Sequence, residues 1–293
     1  MKPETALFVA VGLDGLRIVS KDGKTWTDAQ TGREGESYRA VAFGNGLCVA
    51  VGSFGGDNIL AATADGKTWK TGKHEAKYVK YMRGLTFGNG QFLALGGDPG
   101  CVGCSNPFVM ISKDGLTWDG PHTVPGKHML RRAAWNGERF AAVGDRGRRS
   151  VSQNGRVWGD SLAAKALDTL ADITFGNGAF VGVGLHGLRM RSVDGMIWTA
   201  RQTGEEGEHL NSVVFAGGQF VAIGVGVTFT SKDGEKWERH TNVNAPQVAA
   251  ESGGVFVGAA WKGRLFSSPD GIKWTETHKA ERHVLAVAAG SIG

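Results

Sequence analysis

Long apolar runs are missing from this chain. No stretch approaches the roughly 18 apolar residues that a membrane-spanning helix needs, so membrane insertion is not expected. Proline is scarce, at 7 of 293 residues, and the 47 glycines follow no collagen-like period. With 9 tryptophans present, that composition excludes a triple helix or a disordered linker and points to many tight turns in a packed fold. Basic runs are absent as well. The net charge of +5 is spread along the chain, which favours acidic partners mildly and carries no nucleic-acid signature. The opening MKPETALFVAVG lacks the apolar run and small-residue cleavage site of a secretion signal, although such a leader could have been removed.

Cysteine is sparse, at three residues. Cys48 stands where sister segments carry Phe and reads as an apolar filler. Cys101 and Cys104 form CVGC in the longest loop, GGDPGCVGCSNPF, and a short-range disulfide, free thiols or half of a metal site all stay open. No second CxxC or clustered His completes a zinc site, and the βαβ setting of a thioredoxin-like pair is missing. No metal or cofactor is expected. An oxidised pair would imply an oxidising compartment, so an extracellular or periplasmic location is the expectation.

What the chain has is a repeat. SKDGKTW at Ser20 returns as TADGKTW, SKDGLTW, SQNGRVW, SVDGMIW, SKDGEKW and SPDGIKW, ending at Trp26, Trp69, Trp118, Trp158, Trp198, Trp237 and Trp274. A second motif precedes these turns: AFGNGLCVAVG, TFGNGQFLALG, AWNGERFAAVG, TFGNGAFVGVG and VFAGGQFVAIG, with a weaker AESGGVFVGAA in the seventh unit. Asn-Gly and Asp-Gly are hairpin signals, because both accept positive φ cheaply. The near-continuous apolar strands imply sheets covered on both faces. Four short strands per unit of about 40 residues, repeated seven times, predict an all-β, seven-bladed β-propeller of four-stranded antiparallel blades across residues 1–293. SLAAKALDTLAD is assigned to a loop or a short helical turn. The first unit lacks its first strand and an orphan strand, HVLAVAAG, follows the last. The ring is therefore expected to close by the C-terminal strand, 283–290, joining the first blade, which leaves few open edges.

The S/T-x-D/N-G-x-x-W pattern resembles the Asp-box, the bacterial neuraminidase repeat, with one residue fewer between Asp and Gly. The resemblance covers all seven units and implies a propeller. Asp-boxes occur in sialidases, xyloglucanases, sortilin-type receptors and a photosystem II assembly factor, so it implies no single activity. Locally, Asp22, Asp65, Asp114, Asn154, Asp194, Asp233 and Asp270 are suited to accept turn N–H groups, and the following Gly supplies positive φ. One carboxylate per distant turn cannot build a cation cage, and Asn154 fits hydrogen bonding better than charge.

The resemblance places the Asp-box turns on the lower rim, which directs the search for function to the opposite face. Four residues before Phe43, Phe87, Trp135, Phe175 and Phe215 stand Arg39, Arg83, Arg131, Ala171 and Asn211; the last units give Gln247 and Leu285. Counted with period two, Arg39 shares a face with Val41 and Phe43 and stands at the upper end of its strand. Three adjacent blades thus offer arginines suited to carboxylate, sulfate or phosphate, or to pairing with Asp57, Glu36 or Asp172. Upper loops add Asp14, Asp57, Arg146, His186 and Trp261, the last able to stack on a sugar ring.

The sialidase RIP-like motif is missing, and Tyr38, Tyr78 and Tyr81 have no convincing Glu partner. The expected function is a non-catalytic binding or scaffold propeller, monomeric, recognising acidic glycans or acidic protein segments. The alternative is a lyase or glycoside hydrolase on acidic glycans, with Tyr81 or His186 moving the proton.

Overall fold

The computed structural model describes residues 5–74, 81–101, 104–160, 168–242 and 244–293; at 5, 98–101, 104 and 105 only the backbone is described. It contains seven four-stranded antiparallel sheets. Blade 1 takes its inner strand from the C-terminus: Val284–Ile292 pairs with Thr5–Gly12, as the orphan strand predicts. Blades 2 to 7 begin with inner strands Ser37–Gly44, Gly84–Gly88, Leu130–Trp135, Leu170–Gly176, Leu210–Ala216 and Val248–Ser252. These seven inner strands pack neighbour to neighbour in a closed ring. Of the segment SLAAKALDTLAD, residues 161–167 lie outside the described residues; Leu170–Asp172 belong to the inner strand of blade 5 rather than to a loop or helical turn.

The core is not one cluster but seven, each filling the seam between two adjacent blades. Leu7, Val9 and Val19 of blade 1 meet Tyr38, Val41 and Cys48 of blade 2, and Phe8 and Ile18 meet Val257 and Leu265 across the closing seam. Each seam holds one turn tryptophan. Trp26, Trp118, Trp158 and Trp274 are buried, while Trp69, Trp198 and Trp237 are partly open. The open three each lie under an arginine of the preceding blade: Arg17 over Trp69 at 5.7 Å, Arg149 over Trp198 at 5.6 Å and Arg189 over Trp237 at 5.8 Å. A guanidinium on an indole face adds attraction where burial is incomplete.

The turns are closed as their residue types dictate. In the first copy the Gly23 N–H donates to Ser20 Oγ at 2.9 Å, and the Lys24 and Thr25 N–H groups donate to Asp22 Oδ1 at 2.8 and 2.7 Å. Asn154 does the same with its amide oxygen, accepting from Arg156 and Val157 at 2.8 and 3.0 Å. Hydrogen bonds from Thr25 N–H, then Lys24 N–H, hold the Asp22 carboxyl well below the usual range. The Thr68 N–H leads the same effect at Asp65, lowered to about 2. Turn glycines do more than supply positive φ. A β-carbon on Gly195 (φ 77°) would stand 2.8 Å from both Ala141 Cβ and Val151 Cγ1 of the preceding blade, so the turn seats directly on its neighbour.

Candidate functional site

Five of the seven inner strands share an irregularity that positions the site. Pairing with the second strand slips by one residue between Tyr38 and Ala40, between Leu130 and Arg132, between Leu170 and Asp172, and between Leu210 and Ser212. On the closing strand the slip falls between Val284 and Ala286. Each slip is a β-bulge that leaves one extra residue unpaired: Arg39, Arg131, Ala171, Asn211 and Leu285. In these five blades the glycine ending the FVAVG-like motif makes room for it. A β-carbon on Gly12, Gly52, Gly144, Gly184 or Gly224 would run into the carbonyl oxygen of His283, Ser37, Met129, Thr169 or His209. The bulge corrects the period-two count. Tyr38, not Arg39, shares the seam face with Val41 and Phe43, because the extra residue shifts the phase.

Six of the seven ring positions line one cavity of about 270 Å³ at the end of the ring where the inner strands begin: Arg39, Arg83, Arg131, Ala171, Asn211 and Leu285. Met129, Arg132 and Asp145 complete its lining, and Gln247 is not part of it. Four guanidinium groups therefore face one carboxylate. Arg131 pairs with Asp145. Arg132 donates to the carbonyls of Arg83 and Arg131 at 2.6 and 3.0 Å and lies in the field of Asp172. Burial pushes the Asp172 carboxyl up, against Arg132 and the N–H groups of Val213 and Ile173.

Arg39 and Arg83 have no ion-pair partner among the described residues, and Arg39 Nε is buried without a hydrogen-bond partner. Arg83 is solvent-exposed overall, yet desolvation of its guanidinium, then repulsion from Arg39 and Arg131, hold it below its usual pKa, with Asp145 opposing. Neither Asp57 nor Glu36 neutralises the three ring arginines: Asp57 is exposed on its strand, and Glu36 accepts from Arg33 at 2.8 Å.

The loop residues singled out from sequence do not join this cavity lining. Asp14, Arg146, His186 and Lys262 occupy the same left-handed loop position, at φ 52°, 51°, 58° and 62°. The His186 N–H donates to His209 Nδ1 at 3.0 Å. Trp261 is 65% exposed and stacks on His283. Tyr81, also at positive φ, lies under the Arg83 guanidinium at 5.8 Å. Cys101 and Cys104 face each other in register where two strands meet, and their side chains lie outside the described residues, as does Tyr78. No three His, Cys, Asp or Glu side chains converge among the described residues. Arg132 and Asp145 escaped the sequence reading, because neither repeats from blade to blade.

A larger open groove of about 910 Å³ lies by the turns of blades 3 and 4. Its acids are already engaged: Asp114 accepts turn N–H groups, and Asp119 pairs with Arg156 at 2.6 Å and His122 at 3.3 Å. The smaller cavity holds the unmatched charge.

No family model and no curated protein matches the chain. Solved structures do. The periplasmic gluconolactonase PpgL of Pseudomonas aeruginosa aligns with a TM-score of 0.74 at 8% identity, over 98% of this chain and 99% of that one. YCF48 bound to D1 peptide gives 0.59 at 18% identity, over 81% of each chain. YCF48 from Cyanidioschyzon merolae gives 0.58 at 15%, over 83% of this chain and 85% of that one. At such identities the likeness concerns the fold, and with the sheet order above it establishes a seven-bladed propeller closed by its C-terminal strand.

Proposed function

We propose that this propeller is a binding module that holds an anionic group at its channel mouth without converting it. The group is a carboxylate, sulfate or phosphate carried by an acidic glycan or an acidic protein segment. The observation that carries the reading is the pair Arg39 and Arg83, unneutralised and held against Arg131 and Arg132 in one small cavity. Gathering like charges costs energy that an incoming oxyanion returns, and a guanidinium can meet such an anion with two parallel hydrogen bonds. A propeller of similar shape, YCF48, has been seen with a peptide bound, which keeps a protein ligand in view.

The test is calorimetric titration of glucuronate, sulfate and an oligoglutamate peptide into the protein. At least one should bind, more weakly as salt rises, and Arg39→Ala with Arg83→Ala should abolish it. Binding that ignores both substitutions overturns the proposal.

A second reading, lyase chemistry on a uronate polymer, draws support from Tyr81 beside Arg83. It requires an unsaturated product that Tyr81→Phe no longer forms. A two-carboxylate hydrolase is less favoured, since the lining offers only Asp145, already paired with Arg131.

A further inference from the structure

The upper loop of blade 7 carries an aromatic surface whose design differs from that of the seam tryptophans. Trp261 is 65% exposed, although most large apolar side chains among the described residues are buried. Its ring is nonetheless fixed. His283 lies parallel beneath it, with centroids 4.7 Å apart and an interplanar angle of 5°.

The loop backbone is fixed too. The Ala280 N–H donates to the Gly263 carbonyl at 2.9 Å. Gly263, at φ 75°, approaches the carbonyls of Ala280 and Arg282 so closely that no β-carbon fits between. On the opposite side the Leu13 N–H donates to the His283 carbonyl at 2.9 Å, and Arg282 pairs with Asp14 at 2.9 Å. One indole face is thus supported, the other is open, and a charged pair stands beside the support.

His283 also links this surface to the channel mouth. Leu285, two residues further along the closing strand, lines the arginine cavity. Two residues of strand span no more than about 7 Å. Burial pushes the His283 imidazole toward its neutral form, so the support adds no charge under the indole.

We propose that Trp261, backed by His283, is a stacking subsite for a pyranose ring, and that the ligand of this propeller is an acidic polysaccharide rather than an acidic peptide. The inference rests on the anion-binding reading above and names the ligand class for it. The physical basis is complementarity. A pyranose has one face of C–H groups with slight positive charge, and the indole face carries the negative lobe of its quadrupole. Hydroxyls at the sugar edge need donors and acceptors, which Arg282 and Asp14 supply. A ring already held by its support loses little freedom on binding. An extended acidic peptide has no flat apolar face of this kind to offer.

The test compares four probes: glucuronate, a trigalacturonate, a neutral trisaccharide of similar length and an oligoglutamate peptide. Each is titrated into the wild type, Trp261→Ala, Trp261→Phe and the Arg39→Ala/Arg83→Ala pair. Trigalacturonate should bind more tightly than glucuronate and shift the tryptophan emission. Trp261→Ala should weaken trigalacturonate about tenfold, equivalent to roughly 1.4 kcal/mol. It should leave glucuronate within about twofold, and Trp261→Phe should recover most of the loss.

Trp261 is exposed, so an unchanged melting temperature checks that the variants fold. Trigalacturonate binding that is absent or indifferent to Trp261→Ala overturns the subsite. The anion reading then stands or falls separately on whether the arginine pair still governs glucuronate or peptide binding. Peptide binding that depends on Trp261, without glycan binding, overturns the choice of a polysaccharide.

Discussion

Replacing Gly195 by Ala isolates the force that joins one blade to the next. The residue lies in the turn of blade 5 at φ 77°, where an ordinary side chain is strained by about 1–2 kcal/mol. A stiffer unfolded chain returns about 0.4–1 kcal/mol of that, leaving a backbone cost near 1 kcal/mol. The second term is packing. The new methyl would stand 2.8 Å from Ala141 Cβ and 2.8 Å from Val151 Cγ1, on two strands of blade 4. Ala141 is fully buried, so relief requires the seam to widen, at about 1–3 kcal/mol. Gly178, in the inner hairpin of the same blade, is the control: its φ is 72°, and no described atom lies within 4 Å of the point a methyl group would occupy there. Gly178→Ala should therefore cost about 1 kcal/mol and Gly195→Ala about 2–4 kcal/mol. At roughly 2 °C per kcal/mol for a chain of this size, calorimetry should show melting lowered by about 2 °C and about 4–8 °C. Equal shifts would refute the claim that the turn is a docking surface between blades.

Two further predictions concern the ring and its turns. Truncation from His283 onward removes the inner strand of blade 1 and opens the seams on both sides of it, so the cooperative melting transition should be lost; unchanged melting would contradict closure by that strand. The folded pKa values of Asp22 and Asp65 lie below the ordinary value of 3.8, so their contribution to stability is complete above that value and is lost as the pH falls through the lowered values, about 2 for Asp65 and further down for Asp22. Urea midpoints should drop over that interval, and a variant with Asn at both positions should show a shallower drop, because Asn154 holds the same turn without titrating.

Blade number and closure were legible because their signals are local. A hairpin of Asp or Asn, Gly and Trp announces itself within seven residues, and a missing first strand is visible against six complete copies. Features that join distant segments were not. Arg17, Arg149 and Arg189 meet tryptophans of the next blade, 52, 49 and 48 residues away by number, and nothing near the arginines signals it. Likewise Asn45 ties its hairpin to Gly90 and Lys113, and Asn177 ties its own to Gly218 and Lys232. The bulge had a readable signal that was passed over: a glycine closing the second strand in unit after unit, where a strand end alone needs none.

That bulge explains why the channel mouth can differ from blade to blade. Seam residues answer to two blades at once, and so the same apolar types recur there. The bulge residue belongs to no described core cluster. Ala171 fills the position in blade 5 and Leu285 in blade 1, so the fold itself asks for no particular side chain there. Arginines at Arg39, Arg83 and Arg131 are then not explained by packing. Desolvation, and then repulsion from Arg39 and Arg131, lowers the Arg83 pKa, and of the three only Arg131 pairs with an acid among the described residues. A position free to be alanine, yet occupied by arginine in three successive blades, is the pattern that the proposed anion-binding role would explain.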